Sequence, residues 1–161
     1  PALGFFYGGM VRRKNILSIL MQCMICLAVI SVLWGIYGYS LAFSKGSPFI
    51  GGLQWAMLKG VGEAPNPDYS STIPHAAFMI FQCMFAVITP AIICGSYAER
   101  VKFSAFLLFT VLWLTIVYCP MAHMAWATDG LFKNWGLLDF AGGTVVEMNC
   151  GIAGLVTALF F

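Results

Sequence analysis

Two carboxylates, Asp139 and Glu147, stand eight positions apart in the segment Asp139-Phe-Ala-Gly-Gly-Thr-Val-Val-Glu147-Met-Asn, inside a run that is otherwise apolar. An acidic side chain at the centre of a bilayer is disfavoured by roughly 3 kcal/mol, so one kept there faces a pore or a partner. Eight residues of helix rise about 12 Å, which sets Glu147 well inside the span that Asp139 opens. Asp139, just ahead of Gly142 and Gly143, has the position of a helix cap whose side-chain oxygen meets the free N–H groups of the first turn. Glu147 has the chemistry to accept and release a proton; the alternative is a hydrogen bond to a neighbouring helix.

Other side chains raise other chemistries. His75 and His123 could be imagined as axial ligands of a haem, but each falls beside a loop near the end of an apolar run and no further ligand set accompanies them. Helix-end hydrogen bonding is the expected role of both. Cys23, Cys26, Cys83, Cys94, Cys119 and Cys150 lie almost wholly within apolar runs and read as small buried side chains. Cys23-Met-Ile-Cys26 lacks the helix N-terminus and solvent access that make thiolates reactive. Nothing resembles a nucleotide or metal site, and no cofactor is implied.

The elements that must position these residues are membrane helices. The chain is 61% hydrophobic and 9% charged, far below the roughly 25% charged residues of a soluble domain. No Asp, Glu, Lys or Arg occurs between Lys14 and Lys45, between Asp68 and Glu99, or between Lys102 and Asp129. A spanning helix needs about 20 mainly apolar residues, and the pattern predicts spans near 16–43, 76–98, 103–121 and 142–161. Residues 1–10 read as the tail of an earlier span, so the chain is expected to be a fragment.

Alternating spans place Arg12, Arg13 and Lys14 on the same side as Arg100 and Lys102, while Glu63, Asp68, Asp129 and Asp139 collect opposite. The positive-inside rule then makes 11–15 and 99–102 cytoplasmic, with 44–75 and 122–141 outside. The 44–75 stretch, with Gly46, Pro48, Gly51, Gly52, Pro65, Pro67 and Pro74 among its breakers, reads as an exposed loop. Small residues in Gly4-Phe-Phe-Tyr-Gly8 and at Gly151, Ala153 and Gly154 suit close helix packing, and Pro90 is expected to kink the 76–98 span. The basic residues are consumed by topology, and a net charge of +2 forms no extended patch for nucleic acid.

Five ordered blocks carry a family resemblance. Phe5-Phe-Tyr-Gly-Gly-Met-Val-Arg-Arg-Lys-Asn15, Tyr37-Gly-Tyr-Ser-Leu-Ala-Phe43, Ala98-Glu-Arg-Val-Lys-Phe-Ser104, Ala122-His-Met-Ala-Trp126 and Asp139-Phe-Ala-Gly-Gly-Thr-Val-Val146 resemble the ammonium transporter family. The resemblance implies an all-α polytopic membrane protein, with this chain running from the end of the first transmembrane helix to the fifth. It implies a non-enzymatic homotrimer in the cell membrane, one narrow pore per subunit, ammonium or ammonia and also methylammonium as substrates, nitrogen uptake as the role, and a cytoplasmic regulatory protein as partner.

By the same resemblance Trp126, Phe85 and Phe81 match the aromatic lining of an outer ammonium-binding vestibule, and Asp139 matches the acidic residue below it. A ring face attracts a cation by roughly 0.5 to 2 kcal/mol, with Trp the strongest partner. Phe81 and Phe85 are four residues apart, a spacing that packing on one helical face would also give. Glu147 departs from the usual pattern, for most of the family carries there the first of two paired pore histidines; fungal-type and some microbial members also have an acid. Glu147 then serves a proton relay with a partner beyond this chain. A second functional class, an ammonium sensor fused to a cytoplasmic signalling domain, fits the same residues.

Overall fold

A computed structural model describes residues 1–161. The short helix α1 (Ala2–Gly8) turns into α2 (Arg13–Phe43), which opens with a 3-10 turn at Arg13–Asn15. Helix α3 (His75–Ser96) follows a long outer connection, and Pro74 immediately before it presets the backbone for a helix start. Helix α4 is α-helical over Phe103–Trp113 and again over Cys119–Trp126. A single-turn α5 (Leu131–Asn134) precedes α6 (Gly143–Phe160). Four helices are long and apolar enough to cross a membrane.

The helix bounds differ from the expected ones where hydropathy fades before hydrogen bonding does. The third span continues to Trp126 instead of ending at 121, so Ala122 to Trp126 stand on helix and not in the outer loop. Chain direction breaks only at Ala127, whose ψ of 149° is extended. The second span ends in a 3-10 turn at Cys94–Ser96, short of 98. Pro90 is buried within α3 and does not end it; the neighbouring Thr89 hydroxyl donates to the Phe85 carbonyl at 2.6 Å.

Three stretches relax to the wider π register: Trp34–Gly38 in α2, Leu114–Tyr118 in α4 and Gly143–Met148 in α6. Pro120 lies just beyond the second and offers no N–H to the turn before it, which favours a local change of register. The first two bulges meet, with Tyr37 Oη and Thr115 Oγ1 at 2.8 Å. Such bulges gather at functional sites because they re-aim side chains without ending the helix.

The two ends of the bundle are tied differently. At one end the basic turns are joined by Glu99, whose carboxylate accepts the Asn15 side-chain amide at 2.7 Å and the Arg12 N–H at 2.9 Å. Asn15 bonding and the Arg12 N–H hold the Glu99 carboxyl below its ordinary pKa. At the other end the 44–74 connection is folded down rather than free. It carries a two-stranded antiparallel ribbon, β1 (Pro65–Asn66) and β2 (Ser70–Pro74), and its Trp55 stacks on Tyr39 with ring centres 5.5 Å apart. Trp34, Tyr39, Phe43 and Tyr118 are almost fully buried beneath it and form the aromatic heart of the core. Side chains such as Leu17, Leu108, Ile116 and Leu159 are largely exposed, as expected of surfaces that meet lipid or further helices.

Candidate functional site

A cavity of about 250 Å³ opens at the end of the bundle closed by the 44–74 and 127–142 connections. Its wall includes four residues singled out from the sequence, Phe81, Phe85, Trp126 and Asp139, drawn from α3, the end of α4 and the turn before α6. The Phe85 and Trp126 rings are 5.5 Å apart at 62°, and Phe81 meets Phe85 edge-on at 5.1 Å. Phe43 backs the indole, nearly parallel to it at 6.4 Å. Phe81 is 55% exposed and stands at the margin, whereas Phe85 and Trp126 are half-buried.

Trp126 reaches this place because α4 does not stop at 121. Its indole N–H then donates to the Asp139 backbone carbonyl at 3.0 Å, which fixes the ring plane. The Asp139 carboxylate meanwhile accepts the Gly142 N–H at 2.6 Å, the Thr144 N–H at 2.9 Å and the Val145 N–H at 3.1 Å. These are the donors a helix start leaves without intrahelical partners, and a carboxylate there also meets the positive end of the helix dipole. One residue thus anchors the indole through its backbone and the start of α6 through its side chain.

The turn needs Gly142, whose φ of +94° is disfavoured for residues with a Cβ, and where an added Cβ would approach Val146 Cγ2 to 2.7 Å. The Gly142 carbonyl accepts from both Val146 at 2.7 Å and Glu147 at 3.0 Å, which widens the first turn of α6. Glu147 does not line the cavity. Its side chain is exposed on α6 with no hydrogen bond or ion pair to the rest of the chain, and one carboxylate oxygen lies 3.6 Å from where a Gly142 Cβ would stand.

Several cavity residues were not singled out from the sequence as site residues, Phe43 from within a family block and Tyr69 and Phe78 from no motif at all. Phe43, Phe78 and Tyr69 converge from three segments, with Phe43 5.4 Å from Phe78 and 5.3 Å from Tyr69. The Tyr69 hydroxyl donates to the Phe43 carbonyl at 2.7 Å, and burial pushes its pKa up, which keeps it a donor. Asp68 and Lys133 complete the rim. The sequence signal that could have found Tyr69 is an aromatic beside an Asp in a Pro- and Gly-rich loop, which distinguishes no loop from another.

The histidines are engaged by protein. His75 Nε2 lies 2.6 Å from the Tyr39 hydroxyl, and the fully buried His123 ring has its nitrogens 3.1 and 2.8 Å from the Ala42 and Ser47 carbonyl oxygens. His123 thereby pins the start of the outer connection to α4, one turn before Trp126. All six cysteines are buried and unbridged.

This arrangement matches a known group. The model of the Ammonium Transporter Family matches residues 1–161, and the chain belongs to that family. It is 55% identical over 159 residues to the ammonium transporter of Bacillus subtilis strain 168, covering 99% of this chain and 39% of that protein. It is 45% identical over 161 residues to ammonium transporter 1 of Dictyostelium discoideum, covering 99% of this chain and 35% of that one. The fold overlays a crystal structure of Saccharomyces cerevisiae Mep2 with a TM-score of 0.88 and 40% identity, over 99% of this chain and 36% of the yeast chain. It also overlays a sensor Amt protein with a TM-score of 0.77 and 29% identity, over 90% of this chain and 36% of the other. The chain therefore spans less than two fifths of the length of these relatives, and its family and four apolar helices mark it as a multi-pass cell-membrane protein.

Proposed function

We propose that the protein containing this chain carries ammonium across the cell membrane, recruiting the cation in the Trp126 cavity and passing ammonia inward. The observation that carries this reading is the convergence of Trp126 and Phe85 on one half-enclosed cavity, with Asp139 beneath the indole. Ring faces hold a cation without supplying it a counter-charge that would trap it, and they bind water poorly. A bare cation is costly in an apolar channel while neutral ammonia is not. Entry as ammonia therefore requires a proton to be left behind, and rejects sodium and potassium, which have none to leave.

Glu147 is the group on this chain suited to hold that proton: its carboxylate takes one proton to become the acid and later releases it. It is the unpaired acid one π turn beyond the Asp139 cap. Its exposed face would meet the remainder of the protein, which would supply a partner for the relay. The trimeric assembly, a cytoplasmic regulatory partner, cytoplasmic basic turns at 11–15 and 99–102, and outward-facing connections at 44–74 and 127–141 belong to the same reading. The test is ammonium-driven current in liposomes carrying the full-length protein. Trp126→Ala is expected to raise the ammonium KM, and Glu147→Ala to abolish current with the fold intact. Unchanged transport in both variants refutes both roles.

The overlay on a sensor Amt protein supports a second reading, in which the same cavity reports ammonium without conducting it. Ammonium binding to the full-length protein with no transport in the same liposomes would favour the sensor.

A further inference from the structure

The cavity has charges on its rim as well as rings in its wall, and they differ in how far the protein has already used them. The Asp139 carboxylate is already engaged by three backbone N–H groups. Asp68 and Lys133 line the same cavity, and both are exposed. Neither Asp68 nor Lys133 has an oppositely charged side chain within 4.0 Å, whereas Glu99 has Arg12 and the Asp129 carboxylate lies 3.5 Å from the His123 ring.

Both rim charges stand on rigid supports. Asp68 sits in the turn between β1 and β2, where its N–H donates to Asn66 Oδ1 at 2.9 Å and the adjacent Tyr69 hydroxyl is tied to Phe43. Lys133 is on α5, whose first residue, Leu131, donates its N–H to the Pro48 carbonyl at 2.9 Å and whose last, Asn134, reaches the Asp129 carbonyl at 3.3 Å. Gly130, just before it, presses so closely on the end of α4 that a Cβ would collide with the His123 and Met124 carbonyls. The Lys133 backbone is therefore held beside the mouth, although its side chain remains free to move.

We propose that Asp68 and Lys133 are opposed rim charges that set the affinity of the cavity for ammonium, Asp68 raising it and Lys133 lowering it. The Lys133 side chain ends in an alkylammonium, the same chemical group as the cation the rings would hold. It repels an arriving cation and offsets the pull of the two carboxylates. Because both groups are water-exposed, their influence is a few-fold one and is screened by salt, whereas the ring contacts inside are screened much less. This inference rests on the cavity being the site of ammonium recruitment.

The experiment measures the KM of ammonium-driven current in the full-length protein in liposomes, for Lys133→Gln, Asp68→Asn and Trp126→Leu. Each is measured at about 10 mM and about 1 M ionic strength, where the Debye length falls from about 30 Å to about 3 Å. Lys133→Gln is expected to lower KM and Asp68→Asn to raise it, each by roughly two- to fivefold at low salt, with both shifts collapsing at high salt. Trp126→Leu is expected to raise KM at both salt levels. If Trp126→Leu raises KM while the two rim variants match the parent at low salt, or shift it equally at both salt levels, the rim-charge proposal is overturned and the cavity reading stands. If Trp126→Leu has no effect, the cavity reading fails and takes the rim charges with it.

Discussion

The turn around Asp139 and the turn around Glu147 sit on the same helix start and use the same chemical group in opposite ways. Asp139 has every oxygen committed, its carboxylate to three backbone N–H groups and its carbonyl to the Trp126 indole. Glu147, in the very π turn that Asp139 caps, has no partner within the chain. A carboxylate whose two oxygens accept three backbone donors is committed to architecture. A carboxylate left bare in a segment apolar enough for lipid is available to exchange a proton. Glu99, at the far end of the bundle, is of the first kind, since it joins two turns through Arg12 and Asn15.

If the contrast holds, Asp139→Ala should give the largest loss of stability. It strands the three N–H donors at the start of α6 and loosens the turn whose backbone carbonyl holds the indole, and hydrogen bonds to a charged group contribute about 1.5 to 3 kcal/mol each. The full-length protein in detergent should melt at a markedly lower temperature, with Asp139→Asn in between because an amide oxygen still accepts. Glu147→Gln should leave the melting temperature nearly unchanged yet remove ammonium-driven current. Equal melting losses in the two acids would erase the distinction.

Next in size is Gly142→Ala. A non-glycine residue in a positive-φ conformation costs roughly 1 to 3 kcal/mol, and its Cβ would press on Val146. Because the added methyl also stands beside the Glu147 carboxylate, transport should fall further than stability alone accounts for, a comparison made by assaying current well below the melting temperature. Trp126→Leu should be milder in stability and visible in affinity, with loss of a cation–ring contact of roughly 0.5 to 2 kcal/mol raising KM about two- to thirtyfold.

Glu99→Gln should show the smallest effect and a distinctive pH dependence. The folded-state pKa of Glu99 is depressed, so its stabilising contribution is present above the ordinary carboxylate range and is lost as pH falls through the lowered value. Parent and variant should therefore differ slightly in melting temperature at neutral pH and converge in acid. A gap that widens in acid would reverse the assignment.

Much of this was legible in the chain. The charge-free intervals located the membrane helices because lipid excludes charge regardless of which helices pack together. The five ordered blocks identified the family, and Asp before a Gly-Gly start foretold a cap that the three N–H bonds supply. The helix extension to Trp126 was not legible, since Ala122-His-Met-Ala-Trp126 is less apolar than what precedes it and hydropathy cannot tell a helical end from a loop. Nor was the folded 44–74 connection, whose Trp55 and Tyr69 were hidden among Gly and Pro but pack on Tyr39 and Phe43.

The sequence by itself determined that this chain crosses membranes, which family it resembles, and which two acids needed a reason to be where they are. Only the tertiary structure decided that Asp139 is spent on backbone donors, that Glu147 is not, and that Asp68 and Lys133 share a cavity with Trp126. The physical reason is range: transfer to lipid is a local property summed along a helix, whereas hydrogen-bond saturation and cavity walls depend on groups that folding brings together from distant parts of the chain.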